Sequence, residues 1–286
     1  MKKFFLAILK AACYTLLFFL LQVLVVAAAG VVFAVQQGFE FAMDGGSFDA
    51  FALAGQGADF VLQNANLITI VSSAAALFFL WPVFAVQRKK YALEVSLLPA
   101  RPALAPAAAI LLGLSFAFVL SIVLDLLPIP ESMWEEYEQY SSTLADQSHP
   151  LIAFLATVLV APVTEEIFFR GLVYTRLKRG MPTAVALLVE SAIFGLLHGA
   201  AIWMAYAFLL GVLMTLLYEK FGTVLVSMAF HAAFNLAGGY LVTRVDTESG
   251  VVYWAALAIA AAVSVASAAW IVSMPKYRAP LAQGGE

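Results

Sequence analysis

Long apolar runs broken by short polar stretches dominate the chain, and most of them are apolar on every face rather than along one stripe. A helix that is hydrophobic all round belongs in a membrane or a large core. Eight runs approach the roughly 20 apolar residues that a helix needs to cross a hydrocarbon core about 30 Å thick. They cover residues 11–35, 67–86, 105–127, 151–176, 182–198, 200–218, 223–242 and 251–274, with little but Gly199 between the fifth and the sixth. Every backbone N–H and C=O must find its partner internally in lipid, so runs of this length fold as helices. The expected fold class is an all-α polytopic membrane protein of about eight transmembrane helices. The first run follows Lys2 and Lys3 as a signal peptide would, but it is far longer than the ~7–15 residues of a signal's apolar region and reads as a retained helix. Between the runs, glycines mark the first long connection and Pro128, Pro130 and Pro150 bracket a second, acidic one.

Composition supports the same reading. The 286 residues are 64% hydrophobic and 12% charged, against roughly 45–50% and about 25% in soluble domains, which excludes a water-soluble fold. There is no basic footprint for nucleic acid. The lone Cys13 rules out a disulfide framework and a cysteine-rich metal site.

Charge orients the spans, because cytoplasmic loops are enriched in Lys and Arg. With eight helices, fourteen of the fifteen basic residues fall on one side, among them Lys2, Lys3, Lys178, Arg179, Lys220 and Lys276, with Arg244 the exception. The opposite connections hold Glu40, Asp44, Asp49, Asp59, then Glu131, Glu135, Glu136, Glu138 and Asp146. Both termini are therefore expected in the cytoplasm. The alanine-rich composition and short cationic start suggest the inner membrane of a prokaryotic cell.

Ionisable groups inside a span cost about 2.5–3.5 kcal/mol each at the helix centre on insertion scales, so each is a candidate for function. The fourth run holds Glu165, Glu166 and Arg170; the fifth holds Glu190 and ends at Phe194 and His198; the seventh holds His231 and Asn235. Glu166 and Arg170 are four apart on one helical face, whereas Glu165 points about 100° away, so one carboxylate is paired and the other left free. His231 and Asn235 share a face by the same spacing. Two imidazoles, a free carboxylate and an amide can hold and activate water. Carboxylate and imidazole act as general bases or as metal ligands, and an amide can donate to a developing oxyanion. Asp125 near the end of the third run and His149 in a Ser-His-Pro loop read as interfacial and solvated. Glu190 reads as hydrogen-bonding across helices rather than as part of the chemistry.

At these residues the sequence resembles the CPBP intramembrane proteases, which include the Rce1-type CAAX prenyl proteases and the bacteriocin-immunity (Abi) proteins. Glu165-Glu166-x3-Arg170, Phe194-x3-His198 and His231-x3-Asn235 match that family's three motifs without substitution. The stretch from Phe208 to Thr223 also looks like the helix and turn before its third motif. Hydropathy and charge give transmembrane helices 1–3 with acidic external loops in residues 1–150 and helix 8 with a cytoplasmic tail in 243–286, and the resemblance implies a four-helix catalytic core in 151–242 between them. It implies an intramembrane endopeptidase in which Glu165 activates water, His198 and His231 hold that water or a metal, Asn235 helps the oxyanion, and Glu166 and Arg170 orient the rest. Two routes stay open: Glu165 as base with no tightly bound metal, which the ligand count favours, or Glu165, His198 and His231 as ligands of a Zn2+ or other divalent ion with Glu166 as base. The partner is a peptide or protein substrate in the lipid bilayer, prenylated if the CAAX label carries over. Two other classes compete: a non-catalytic scaffold or immunity protein, and an ion-coupled transporter using buried Glu and His as a proton relay. The intact motif residues speak against the first, and the absence of a convincing internal repeat against the second.

Overall fold

The computed structural model describes residues 2–44, 50–90, 102–144, 148–244 and 250–277, without the side chains of residues 44, 50, 51, 87–90, 144 and 243. Asp49, Arg101, Asp146 and Arg278 of the charge pattern lie outside the described residues. The described residues form helices and no strand. They are α1 (Lys2–Asp44), α2 (Ala50–Gln63), α3 (Ala65–Lys90), α4 (Ala105–Leu126) and α5 (Glu131–Leu144). There follow α6 (Pro150–Leu177), α7 (Thr183–Leu196), α8 (Ala201–Phe221), α9 (Val224–Leu241) and α10 (Gly250–Ser273).

Seven of these, α1, α3, α4, α6, α8, α9 and α10, are long and apolar enough to cross a membrane. The expected fifth span differs. Helix α7 has 14 residues, about 21 Å of helix at 1.5 Å per residue, and stops short of a full crossing. Leu197, His198, Gly199 and Ala200 turn the chain instead, with Gly199 at φ +82°. The chain then returns along α7 as α8, antiparallel, with the Gly195 Cα side against Met204 and Phe208 and Gly211 against Ser191. A Cβ on Gly211 would lie 3.0 Å from Ser191 Cα, so only glycine lets the two backbones meet there. Close approach through small residues is how helices associate where lipid is as apolar as the side chains.

Two connections expected as loops contain helices. Helix α5 follows Pro128 and Pro130 and begins at Glu131, an acidic first turn that complements the helix dipole. Its Trp134, Tyr137 and Tyr140 recur every three residues, and Tyr137 and Tyr140 lean on Trp203 of α8 with ring centroids 6.1 and 6.3 Å apart.

The opposite end of the bundle gathers basic residues. Lys178 pairs with Glu219 at 2.6 Å, Lys220 donates to the Val272 carbonyl, Tyr277 N–H donates to the Lys220 carbonyl, and Gly180 abuts Ala7 and Lys3. Residues 3, 178, 220 and 277 thus share one end, as the charge pattern requires. A short α7 does not disturb this, because α7 starts and α8 ends at that same end.

Helix α6 is not a uniform α-helix. Residues Leu155–Val160 and Phe169–Tyr174 are wound as π-helix, on either side of an α-helical segment Ala161–Phe168. A third π-turn, Ala237–Leu241, closes α9. Such turns are rare and gather at functional sites. The core runs from α4 through α6 and α9, with Phe168, Phe169, Phe194 and Phe230 all buried. Phe18 of α1 stacks on Phe168 at 4.2 Å.

Candidate active site

The α-helical segment between the two π-turns of α6 carries Thr164, Glu165, Glu166 and Ile167, and its two carboxylates have opposite surroundings. Glu166 is fully buried. Its Oε1 accepts from Arg170 Nη1 at 3.0 Å and from His231 Nδ1 at 3.0 Å. Glu165 turns the other way, with 24% of its side chain exposed and Oε2 3.8 Å from His231 Nε2. The geometry expected from the sequence is therefore observed: one carboxylate is paired with Arg170 and its neighbour is not.

Arg170 is held without any exposure. Besides Glu166, its Nη2 donates to the Gly211 carbonyl at 3.1 Å and its Nε to Thr215 Oγ1 at 3.3 Å. The guanidinium lies over the Phe194 ring, 4.8 Å from the centroid, a cation–π contact in a desolvated place. The same ring is 4.6 Å from His198 and 6.0 Å from His231. Phe194 therefore joins the three motifs physically, a role its spacing from His198 alone does not reveal.

Each histidine has one ring nitrogen committed. His198 Nδ1 is 2.7 Å from the Phe194 carbonyl, which can only accept, so Nδ1 carries the proton and Nε2 the lone pair. That hydrogen bond also satisfies a carbonyl at the open C-terminal end of α7. His231 donates Nδ1–H to the Glu166 carboxylate, which in the neutral ring leaves the Nε2 lone pair facing Glu165. A hydrogen bond on one nitrogen sets the tautomer of the other.

Asn235, one turn beyond His231, donates Nδ2–H to the Thr157 carbonyl of α6 at 2.8 Å. A proline explains why this carbonyl is available. In the π-turn Ala161 N–H reaches back five residues to Ala156, so the next N–H in the series would serve Thr157. That residue is Pro162, which has none. Asn235 takes the place of the missing donor.

The structure thus brings Glu165, Glu166, Arg170, His231 and Phe194 into one connected group, with His198 against the same phenylalanine and Asn235 on the adjoining turn. Glu190 is fully buried and, as expected, bonds across helices, accepting from Thr215 at 2.7 Å. Thr215 and Gly211 were not singled out by sequence; a hydroxyl amid the apolar α8 was the available signal. Among the described residues no three His, Cys, Asp or Glu side chains converge to hold a metal ion. Glu165 and His231 approach each other, but His198 does not complete a three-ligand set with them.

Residues 147–237 match the family model described as type II CAAX prenyl endopeptidase Rce1-like. No curated protein and no solved structure matches the chain. The matched segment begins just before α6 and ends just past Asn235, so it contains the whole group of side chains described above. Over residues 147–237 this integral membrane protein is thus similar to the CPBP/CAAX protease family.

Proposed function

We propose that the protein is an intramembrane endopeptidase that cleaves a peptide bond of a membrane-embedded peptide or protein, with Glu165 as general base. The observation that carries this reading is the division of labour between adjacent carboxylates. Glu166 is consumed by Arg170 and His231, and Glu165 is left partly exposed beside a histidine lone pair. Two acceptors that face each other call for a donor between them, and water supplies it.

In the reaction, water donates one hydrogen bond to Glu165 and the other to a histidine Nε2 lone pair. Its oxygen attacks the scissile carbonyl carbon as Glu165 removes one proton. The carbonyl π-electrons move onto oxygen, where the free N–H of Asn235 stabilises the oxyanion. Collapse breaks the C–N bond and Glu165 returns its proton to the leaving nitrogen, giving a carboxylate product and an amine. Preorganised donors and a positioned base are the means by which such sites lower the barrier. The charge pattern supports a reading with both termini in the cytoplasm, and the composition one in a prokaryotic inner membrane. Prenylation of the substrate follows only if the CAAX label extends to this chain.

The test compares peptides from membranes with the wild-type protein, with Glu165→Gln and without the protein. Glu165→Gln keeps the volume but cannot accept the proton, so processing should fall at least ~100-fold, the lower bound for a positioned base. His198→Ala and His231→Ala should fall comparably and non-additively with it. Metal analysis separates the mechanisms: full activity in metal-free protein supports direct activation, whereas stoichiometric zinc lost in His231→Ala supports a metalloprotease. Wild-type processing by Glu165→Gln would remove the protease reading.

A further inference from the structure

Arg170, Thr215 and Glu190 form a hydrogen-bond chain whose direction is fixed by chemistry. A guanidinium only donates, so Thr215 Oγ1 must accept from Arg170 Nε at 3.3 Å. Its single hydroxyl proton is then free for Glu190 Oε2, 2.7 Å away. Every member is fully buried. The other arm of Arg170 leads to Glu166 and on to His231 Nδ1. We infer that Glu190 and Thr215 are positioning residues for His231, acting through Arg170 and Glu166 to keep its Nδ1 protonated toward Glu166 and its Nε2 lone pair toward Glu165.

The role of Glu190 follows from what Thr215 would do without it. A helical threonine ordinarily donates to the carbonyl four residues back, which for Thr215 is Gly211. That carbonyl is already the acceptor for Arg170 Nη2. Glu190 draws the hydroxyl away and leaves Gly211 to the arginine. With Glu190 gone, Arg170 Nε loses the carboxylate 3.6 Å away, and the hydroxyl swings to Gly211 and shares that carbonyl with Nη2. Glu166 is then the one carboxylate left on Arg170, and as the guanidinium shifts, the carboxylate that orients His231 moves with it. Partners at this remove from the reacting group typically matter by 10- to 100-fold. Neither residue falls within the three motifs, so motif matching does not find them.

The effect on rate rests on the proteolytic reading above, so the experiment has a readout independent of proteolysis. The full chain, carrying His149→Gln and 15N-labelled histidine, is purified in detergent, and the tautomers of His198 and His231 are read from their ring 1H–15N couplings. Thr215→Val and Glu190→Leu should abolish the single Nδ1–H tautomer of His231 and leave that of His198 intact. Thr215→Ser and Glu190→Gln, which keep the hydroxyl and an acceptor for it, should restore it. On the peptide whose processing is lost in Glu165→Gln membranes, Thr215→Val and Glu190→Leu should lower kcat 10- to 100-fold with KM unchanged, and the double variant should be no worse than either single one. If Glu190→Leu does not fold, the Thr215→Val and Thr215→Ser pair decides. An unchanged His231 tautomer in Thr215→Val overturns the inference, as does simultaneous loss of both histidine tautomers, which marks a general structural effect. Wild-type processing by Glu165→Gln would refute the protease reading while the tautomer result still stands.

Discussion

Arg170→Met tests whether the buried charge cluster is held together by its one cation. Methionine fills much of the arginine's volume and keeps an apolar contact with Phe194, so the change removes charge and hydrogen bonds rather than opening a large cavity. Three side-chain hydrogen bonds disappear, to Glu166, Thr215 and Gly211. Glu166 loses its cation, and Glu190 loses the same cation 3.6 Å from its Oε1, an oxygen with no hydrogen-bond donor of its own. Removing one partner of a buried ion pair costs about 3–5 kcal/mol, because the remaining charge stays desolvated. At about 1.4 kcal/mol per decade the folding equilibrium should shift by roughly 100- to 3,000-fold. Unfolding in mixed micelles at increasing SDS, followed by the fluorescence of the five tryptophans, measures this. The triple variant Arg170→Met with Glu166→Gln and Glu190→Gln removes the stranded charges and should regain more than half of the loss. A loss below about 1 kcal/mol in the single variant, or no recovery in the triple, refutes the account built on buried-pair energetics.

Asn235→Leu should strand the Thr157 carbonyl, costing about 1–3 kcal/mol in the same unfolding assay, and should lower processing at constant substrate affinity. Gly211→Ala places a methyl group against Ser191 and pushes α7 from α8, which should destabilise the protein by about 1–3 kcal/mol and reduce activity together. In a Cys13→Ser background, Ser142→Cys should react with an impermeant thiol reagent on intact cells, whereas Lys276→Cys should react only after permeabilisation. The reverse pattern would invert the topology.

The spans were legible because lipid leaves the sequence little choice: an apolar run of 20 residues is a helix, and its edges lie where charges begin. The paired and free carboxylates were legible for the same reason, since an i, i+4 spacing on one helix needs no knowledge of the rest of the fold. Helix α7 was misjudged because hydropathy counts residues and not turns; the run to His198 stays apolar although the helix stops at Leu196. Helix α5 was hidden because its stabilising contacts, to Trp203 and Tyr206, lie more than 60 residues away. Thr215 and Gly211 were missed because their partner, Arg170, sits on another helix, and such long-range pairing leaves no local pattern. The bond from Asn235 to Thr157 depends on a winding defect that no propensity scale reports.

That defect has a consequence for phase. Each π-turn inserts one residue's worth of extra rotation, so the eight α-helical residues Ala161–Phe168 are rotated by about 100° against the helix on either side of them. The exposed stripe of Leu151, Leu155 and Leu159 and the inward aim of Glu166 are thereby set by separate parts of one continuous rod. Shortening either π-turn by a single residue would let α6 anneal into a regular helix of nearly the same length and hydropathy. It would still insert in the bilayer, yet it would present Glu165 and Glu166 on faces about a quarter-turn from His231. The active site is thus timed along the helix as well as placed within it, and a one-residue deletion that removes no charged group would erase it.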